Sequence, residues 1–440
     1  MALKDSSRSP RKACVIGLDG VPHSMLGRFL QAGVMPRLAE IARDATLTPM
    51  VASLPEISSV SWTTFMTGRN PGEHGIFGFT DLVPGTYRTR FPSFLDVKAE
   101  TIWDLLGKRE MRSVVLNQPA TYPARPIPGA LVSGFVAVRL EKSVYPAHHL
   151  QAALDMGYQV DLDARQVRDD PPALFRELAR LLELRRRMLD ELWEKERWNL
   201  MEVVITGTDR LHHFLWDACE DEGHPHHRDF LDYYRAIDAF IGEVFERFSE
   251  TGEERNFFVL SDHGFCGARK QAFLNRALAE AGYLTLEDPA ADSLEGVSER
   301  TRAFVLDPAR VYLHRRGRYP KGSVGEGEVA ALKRELTEFI GALRHEGAPV
   351  VRSVFDAAEI YRGPQADLGP DLLVVPHRGY DLKGRIGADS FIGPRQLQGM
   401  HTWDDAFFLT RRRDLLESAS DDFHLEAASR MVLRSLDVLP

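Results

Sequence analysis

Two rhythms of apolar and polar residues alternate along the chain. Short, nearly continuous apolar runs occupy Ala13–Leu18 (ACVIGL), Ser113–Leu116, and residues 130–133, 200–206, 256–261 and 371–375. Runs of this length between turn residues read as strands buried on both faces. Between them, apolar positions return every three or four residues, which predicts helices over 23–32, 35–43, 171–198, 228–248, 328–343 and 423–436. Ser58 and Ser59 stand directly before the apolar stretch 60–66, which Thr67-Gly68 closes; a hydroxyl in that position reads as a helix N-cap. Strands alternating with helices predict an α/β fold with a mostly parallel sheet.

The rhythm loosens between 264 and 327, where Gly, Pro and charged residues cluster, as in Arg315-Arg316-Gly317-Arg318-Tyr319-Pro320-Lys321. We read this stretch as an insertion or lid. The expected organisation is a flexible start (1–12), a core α/β domain (13–263), the insertion (264–327) and the return of the core (328–440). With 440 residues the chain is long for one domain, but a large core carrying a lid accommodates it better than three independent units.

Charge narrows the partners. Lys plus Arg total 55 and Asp plus Glu 64, a net −9, which excludes a protein that coats nucleic acid through a basic excess. It leaves anionic small molecules open, because bound cations would supply local positive charge. The three cysteines, Cys14, Cys219 and Cys266, form no CxxC pair, so neither a zinc cluster of cysteines nor a disulfide framework is expected. No apolar run is long enough to span a membrane, and residues 1–12 lack the apolar core of a secretory signal, so the expected location is the cytoplasm.

Candidate chemistry sits where strands end. Asp19 follows ACVIGL, Asp209 follows EVVITGT, and Asp262 follows FFVLS. Ligands in open α/β sheets bind outside the carboxyl ends of the strands, so these carboxylates can meet in space. Three like charges together are costly unless cations neutralise them. Asp262 is followed by His263, His213 lies four residues after Asp209, and His401 sits in a Gly-flanked loop. Mixed Asp and His donors suit zinc or another first-row divalent ion. His23 also lies four residues after an Asp, but Pro22 and the turn between them argue against a ligand. His212 points about 100° away from His213 on a helix, which makes it a bystander.

These residues, in this order, resemble the alkaline phosphatase superfamily, and within it the nucleotide pyrophosphatase/type I phosphodiesterase branch. The resemblance rests on Val15-Ile16-Gly17-Leu18-Asp19-Gly20, Ser58-Ser59-Val60-Ser61-Trp62-Thr63-Thr64-Phe65-Met66-Thr67-Gly68, Asn70-Pro71-Gly72-Glu73-His74-Gly75, Thr208-Asp209 with His213, Ser261-Asp262-His263-Gly264 and Gly399-Met400-His401. It implies a three-layer α/β/α sandwich with an inserted cap. It also implies two divalent metals, zinc first and manganese as the alternative. One would be held by Asp209, His213 and His401, the other by Asp19, Asp262, His263 and the nucleophile's oxygen. Counting back from Gly68 by the family spacing gives Ser58 as nucleophile, ahead of Ser59 and Ser61. The implied reaction is two-step: Ser58 attacks phosphorus, and water hydrolyses the phosphoseryl intermediate.

Other residues carry two readings each. Asn117 could bind a phosphoryl oxygen or fix its own loop, and Trp62 could be a substrate platform or core. Asp19 and Ser58 could be simple caps, and His74 is expected to be structural. The expected partner is a small phosphate ester or nucleotide, diesters and pyrophosphates before monoesters; the sequence assigns no oligomeric state. Within the superfamily the alternatives are a phosphomonoesterase, a phosphomutase, or a sulfatase/phosphonate hydrolase. From another class, the alternative is a non-catalytic metal-stabilised binding protein. Two departures from the branch stand out: Ser58 replaces its usual Thr, and Ser61 replaces the expected Asn.

Overall fold

In the computed structural model, residues 11–288, 290–416 and 423–439 are described. The expected flexible start at 1–12 lies outside them, apart from its last two residues. An eight-stranded sheet forms the core, in the order Thr46–Met50, Ala406–Thr410, Phe257–Leu260, Ala13–Leu18, Leu200–Ile205, Ser113–Leu116, Gly129–Val132, Val144–Tyr145. The strands from Phe257–Leu260 to Gly129–Val132 run parallel, and the edge pairings are antiparallel.

The central strand shows why the run ACVIGL carries no polar residue. Cys14, Ile16 and Leu18 face one core, against helices that include Pro171–Lys195 and His227–Ser249. Ala13 and Val15 face the other core, with Trp62 and Phe65 of helix Ser58–Thr67 and Met431 of helix Leu425–Ser435. Both faces are covered, so the period-two alternation is apolar on each side. This is the expected α/β/α layering.

The helix at Ser58–Thr67 corrects the N-cap reading. Ile57 is the N-cap, Ser58 is the first helical residue, and no side chain caps the end. All ten residues of this helix are buried, so its hydroxyls serve the interior rather than solvent. Gly17 sets how closely it can approach. A Cβ there would lie 2.4 Å from the Trp62 ring, so only glycine lets the indole rest on the central strand.

A second, antiparallel sheet has the order Ala303–Leu306, Arg310–Leu313, Leu372–Pro376, Val351–Asp356 and packs with helix Glu326–Gly341 around its own core. Its strands come from both sides of residue 327. A short ladder joins the two regions: Gly264–Gly267 pairs antiparallel with Gly399–Thr402, setting Phe265 opposite His401.

Candidate active site

Three neighbouring strands deliver the carboxylates. Asp19 leaves Ala13–Leu18, Asp262 leaves Phe257–Leu260, and Asp209 lies in the first turn of helix Gly207–Glu220, just after Leu200–Ile205. The turns are locked to each other: Thr208 Oγ1 donates to the Asp19 carbonyl at 2.6 Å, and the Gly20 amide donates to Asp262 Oδ1 at 3.0 Å. The 264–267/399–402 ladder then brings His401 across from the far end of the chain.

Two groups result, Asp19 with Asp262 and His263, and Asp209 with His213 and His401. Within each, the ligand atoms lie within 4.8 Å of one another. Ser58 Oγ lies 3.2 Å from Asp19 Oδ1 and 3.3 Å from His263 Nε2. Ser59 instead lines a cavity, and Ser61 Oγ is buried without a partner. The His263 and His401 rings stack at 3.9 Å between centroids, so the two groups adjoin.

The donor set fits cations on its own chemistry. His263, His213 and His401 each place Nδ1 against a backbone carbonyl, of Gly264 (3.0 Å), Gly399 (3.1 Å) and Glu56 (2.8 Å). A neutral imidazole that donates from Nδ1 keeps a lone pair at Nε2. Those lone pairs converge: Nε2 of His401 lies 3.0 Å from Nε2 of His213 and 3.2 Å from Asp209 Oδ1. Asp262 Oδ2 is buried with no hydrogen-bond partner. Facing lone pairs and an orphan carboxylate oxygen call for positive charge between them.

The electrostatics agree. Burial, then the charges of Asp262 and Asp209, push the Asp19 carboxyl well above the usual range. Asp262 is pushed up to about 7, chiefly by burial. Burial also acts on Asp209, but His213, His401 and Arg210 outweigh it and hold that group well below the usual range. Burial lowers His213 and His401, and brings His263 down to about 4. The imidazoles are thus neutral, the form that ligates metals.

The residues given two readings now separate. His212 bridges the Gly20 carbonyl (2.9 Å) and the Tyr234 hydroxyl (2.8 Å), a structural bystander. His74 is buried against Thr64 Oγ1 at 3.1 Å, and burial lowers it to about 3. Trp62 is fully buried against Gly17, which corrects the substrate-platform reading: it offers no face to a ligand. Asn117 is fully buried; its amide donates to the Val204 carbonyl of the neighbouring strand at 3.1 Å, while its Oδ1 has no hydrogen-bond partner.

Sequence reasoning missed the cleft walls. One cavity of about 380 Å³ is lined by Glu56, Phe79, His213, Lys383 and His401 among others. A second, of about 370 Å³, is lined by Ser59, Phe79, Tyr122, Phe135 and Val138 among others. Phe79 borders both, and its ring meets Phe135 edge-on at 5.8 Å. Arg210 donates to Asp209 and Asp161 and lies 4.5 Å above the Phe135 ring. Its place beside Asp209 was the one available signal; Phe79 and Phe135 gave none.

A parallel sheet whose carboxyl ends gather two Asp/His groups around a helix-terminal serine is the architecture of the alkaline phosphatase superfamily, whose chemistry here is hydrolysis of phosphoesters. The chain belongs to the type I phosphodiesterase / nucleotide pyrophosphatase family, which it matches over residues 13–404. Among solved structures it is similar to phosphonoacetate hydrolase from Sinorhizobium meliloti 1021 in complex with phosphonoacetate, at 18% identity and TM-score 0.64, covering 97% of this chain and 96% of that one. It is also similar to murine ectonucleotide pyrophosphatase / phosphodiesterase 5 in complex with AMP, at 14% identity and TM-score 0.54, covering 98% and 96%. At these identities the likeness speaks for the fold. A comparison with curated proteins finds no match. Among the described residues no helix is long and apolar enough to cross a membrane.

Proposed function

We propose that the chain hydrolyses phosphodiesters or nucleotide pyrophosphates, with Ser58 as the nucleophile and two divalent cations, zinc first, as cofactors. The observation that carries this reading is the position of Ser58 Oγ, within 3.3 Å of both Asp19 and His263, whose ring stacks on His401 of the other group. Asp209, His213 and His401 would hold one cation; Asp19, Asp262, His263 and Ser58 Oγ would hold the other. Cations there would supply Lewis-acid stabilisation of the charge that builds on the phosphoryl oxygens.

The chain's own residues do the rest. The Ser58 hydroxyl donates to Asp19 Oδ1, which turns its lone pairs toward the cleft. As the first residue of its helix, Ser58 also sits in the positive end of the helix dipole, which favours the anionic form of the nucleophile. Attack forms the Ser58 O–P bond and breaks the bond from phosphorus to the leaving oxygen, which departs with a proton. Water then forms a new O–P bond, the Ser58 ester breaks, and the hydroxyl regains its proton.

Ser58 stands between Ile57, in the wall of one cavity, and Ser59, in the wall of the other, and Phe79 lines both. One seat for each ester arm favours a diester over a monoester. A phosphonate with an anionic arm is the second reading: Lys383 stands in the wall of the cavity beside His213 and His401, where the arm would compete with Asp381 for it (2.9 Å). Three free, buried thiols agree with a cytoplasmic location. The test is a rate comparison on bis-p-nitrophenyl phosphate, p-nitrophenyl phosphate, a nucleotide pyrophosphate and phosphonoacetate. The diester or pyrophosphate is expected to turn over fastest, and a faster monoester would sink the preference.

A further inference from the structure

Far along the sheet from Ser58, a second set of imidazoles and carboxylates converges. His148 and His149 open the helix His148–Asp155, which follows the edge strand Val144–Tyr145. Glu196 ends the long helix Pro171–Lys195 as its C-cap. Nε2 of His149 lies 3.0 Å and Nε2 of His148 3.5 Å from the same oxygen, Glu196 Oε1. The three donor atoms lie within 4.8 Å of one another. Tetrahedral donors at about 2.0–2.2 Å from zinc sit roughly 3.4 Å apart, so the spacing suits one small cation.

The surroundings are built as a ligand's surroundings are. Arg112 Nη2 binds the other Glu196 oxygen at 2.8 Å, which leaves Oε1 to face the imidazoles. On the far side of the His149 ring, Glu191 Oε1 lies 3.5 Å from Nδ1, and Lys195 holds that carboxylate at 2.8 Å. A carboxylate behind a histidine is the arrangement that orients metal-binding imidazoles.

His149 supplies the deciding observation. It is fully buried, and its Nδ1 has no hydrogen-bond partner. A neutral imidazole carries one N–H. If Nε2 donates to Glu196, the Nδ1 lone pair faces the Glu191 carboxylate. If Nδ1 carries the hydrogen toward Glu191, the Nε2 lone pair faces the Glu196 oxygen. An imidazolium would donate to both carboxylates, and a metal cation between the two Nε2 atoms and Oε1 does the same, letting Nδ1–H point to Glu191 while its own charge faces Glu196; the test below separates the two.

We infer that His148, His149 and Glu196 form a third divalent-metal site, of the zinc class, which fastens the helix at 148–155 to the end of the long helix. The donor set is two imidazoles and one carboxylate, with water completing the coordination on the exposed His148 side. The site shares no residue with the candidate active site, so either can fail without the other.

The test is metal content and cobalt titration of the full chain. His148→Ala is suited to it, because that side chain is 63% exposed and can be removed without opening the core. We expect it to lose one zinc per chain relative to wild type, together with one set of cobalt d–d bands, while phosphodiesterase turnover stays unchanged. Glu191→Gln should keep the ligands but weaken zinc binding at this site about 10–100-fold. Asp209→Asn combined with Asp262→Asn should still bind one zinc that His148→Ala then removes. Equal metal content in wild type and His148→Ala would overturn the inference, as would an imidazolium at His149 in zinc-saturated protein.

Discussion

Ser58 Oγ lies 3.3 Å from Nε2 of His263, although 205 residues separate the two in sequence. Such proximity gives the serine a role no neighbouring hydroxyl shares. Ser58→Ala should reduce kcat for a diester by at least about 1,000-fold, the scale on which loss of a nucleophile reads out. The far-ultraviolet spectrum and urea midpoint should change little, because one buried oxygen is lost. Full turnover by the alanine variant would remove Ser58 from the reaction.

Gly17→Ala tests the contact beneath the helix that carries Ser58. The new methyl would sit 2.4 Å from the Trp62 ring, four residues along the helix from Ser58. Overpacking of this kind costs about 1–3 kcal/mol. We expect a lower urea midpoint and a drop in kcat larger than the stability loss explains, since the helix carrying Ser58 must shift. A stable variant with wild-type kcat would show that the contact does not position the serine.

Metal removal should couple activity to stability. With Asp19, Asp262 and Asp209 close together, the apo protein relieves like charge only by protonation of Asp19 and Asp262 and by Arg210 on Asp209. Chelation should abolish turnover and lower Tm, and zinc should restore both. Saturation at 100 times Kd is worth about 2.7 kcal/mol. Asp209→Asn should blunt the zinc-dependent rise in Tm. A Tm indifferent to chelation in wild type would contradict this.

Glu202 makes stability fall with pH. It sits fully buried in the strand Leu200–Ile205, with Trp103 Nε1 donating to one oxygen at 3.2 Å and the other oxygen unpartnered. Burial raises its carboxyl from 4.5 to about 8. The folded chain therefore keeps a proton that the unfolded chain releases above about pH 4.5. This contribution is intact below that pH and is lost as pH climbs towards 8. Glu202→Gln removes the dependence, so its stability advantage over wild type should widen by about 2 kcal/mol between pH 6 and pH 8. Parallel urea curves at the two pH values check it; an unchanged gap would refute it.

Phe135 offers a test of the two-armed cleft. Phe135→Ala opens the apolar cavity and frees the face beneath Arg210. KM for an aryl diester should rise about tenfold, while phosphonoacetate, with no apolar arm, should be little affected. Equal losses on both substrates would assign Phe135 to packing alone.

The sequence carried the candidate ligands further than the cavities near them. Asp19, Asp262 and Asp209 were legible because each follows a buried strand, and strand ends in such sheets are where ligands collect. Trp62 and Asn117 were ambiguous because burial is a tertiary property: nothing local says that Gly17 leaves room for an indole or that Val204 will accept an amide. The edge strand Thr46–Met50 and its neighbour Ala406–Thr410 went unread because each takes its place by antiparallel pairing, the first on the second and the second also on Phe257–Leu260. Phe79 and Phe135 were invisible for a similar reason, since two lone aromatics gain meaning only when the fold sets them edge to face.

The ladder that sets Phe265 opposite His401 has an architectural consequence. Its two strands act as a clasp, from which the chain departs after 267 and to which it returns at 399. Closing a longer excursion costs little, about 0.6 kcal/mol per doubling of length. Loops beyond the clasp can therefore be lengthened while His401 keeps its register, provided that the buried ties back to the frame, Arg310 to Asp81 and the Tyr361 hydroxyl to the Leu54 carbonyl, are kept. The candidate ligands belong to the frame, and so do Phe79 and Phe135 of the apolar cavity; Lys383, in the wall of the other cavity, belongs to the segment that the clasp closes.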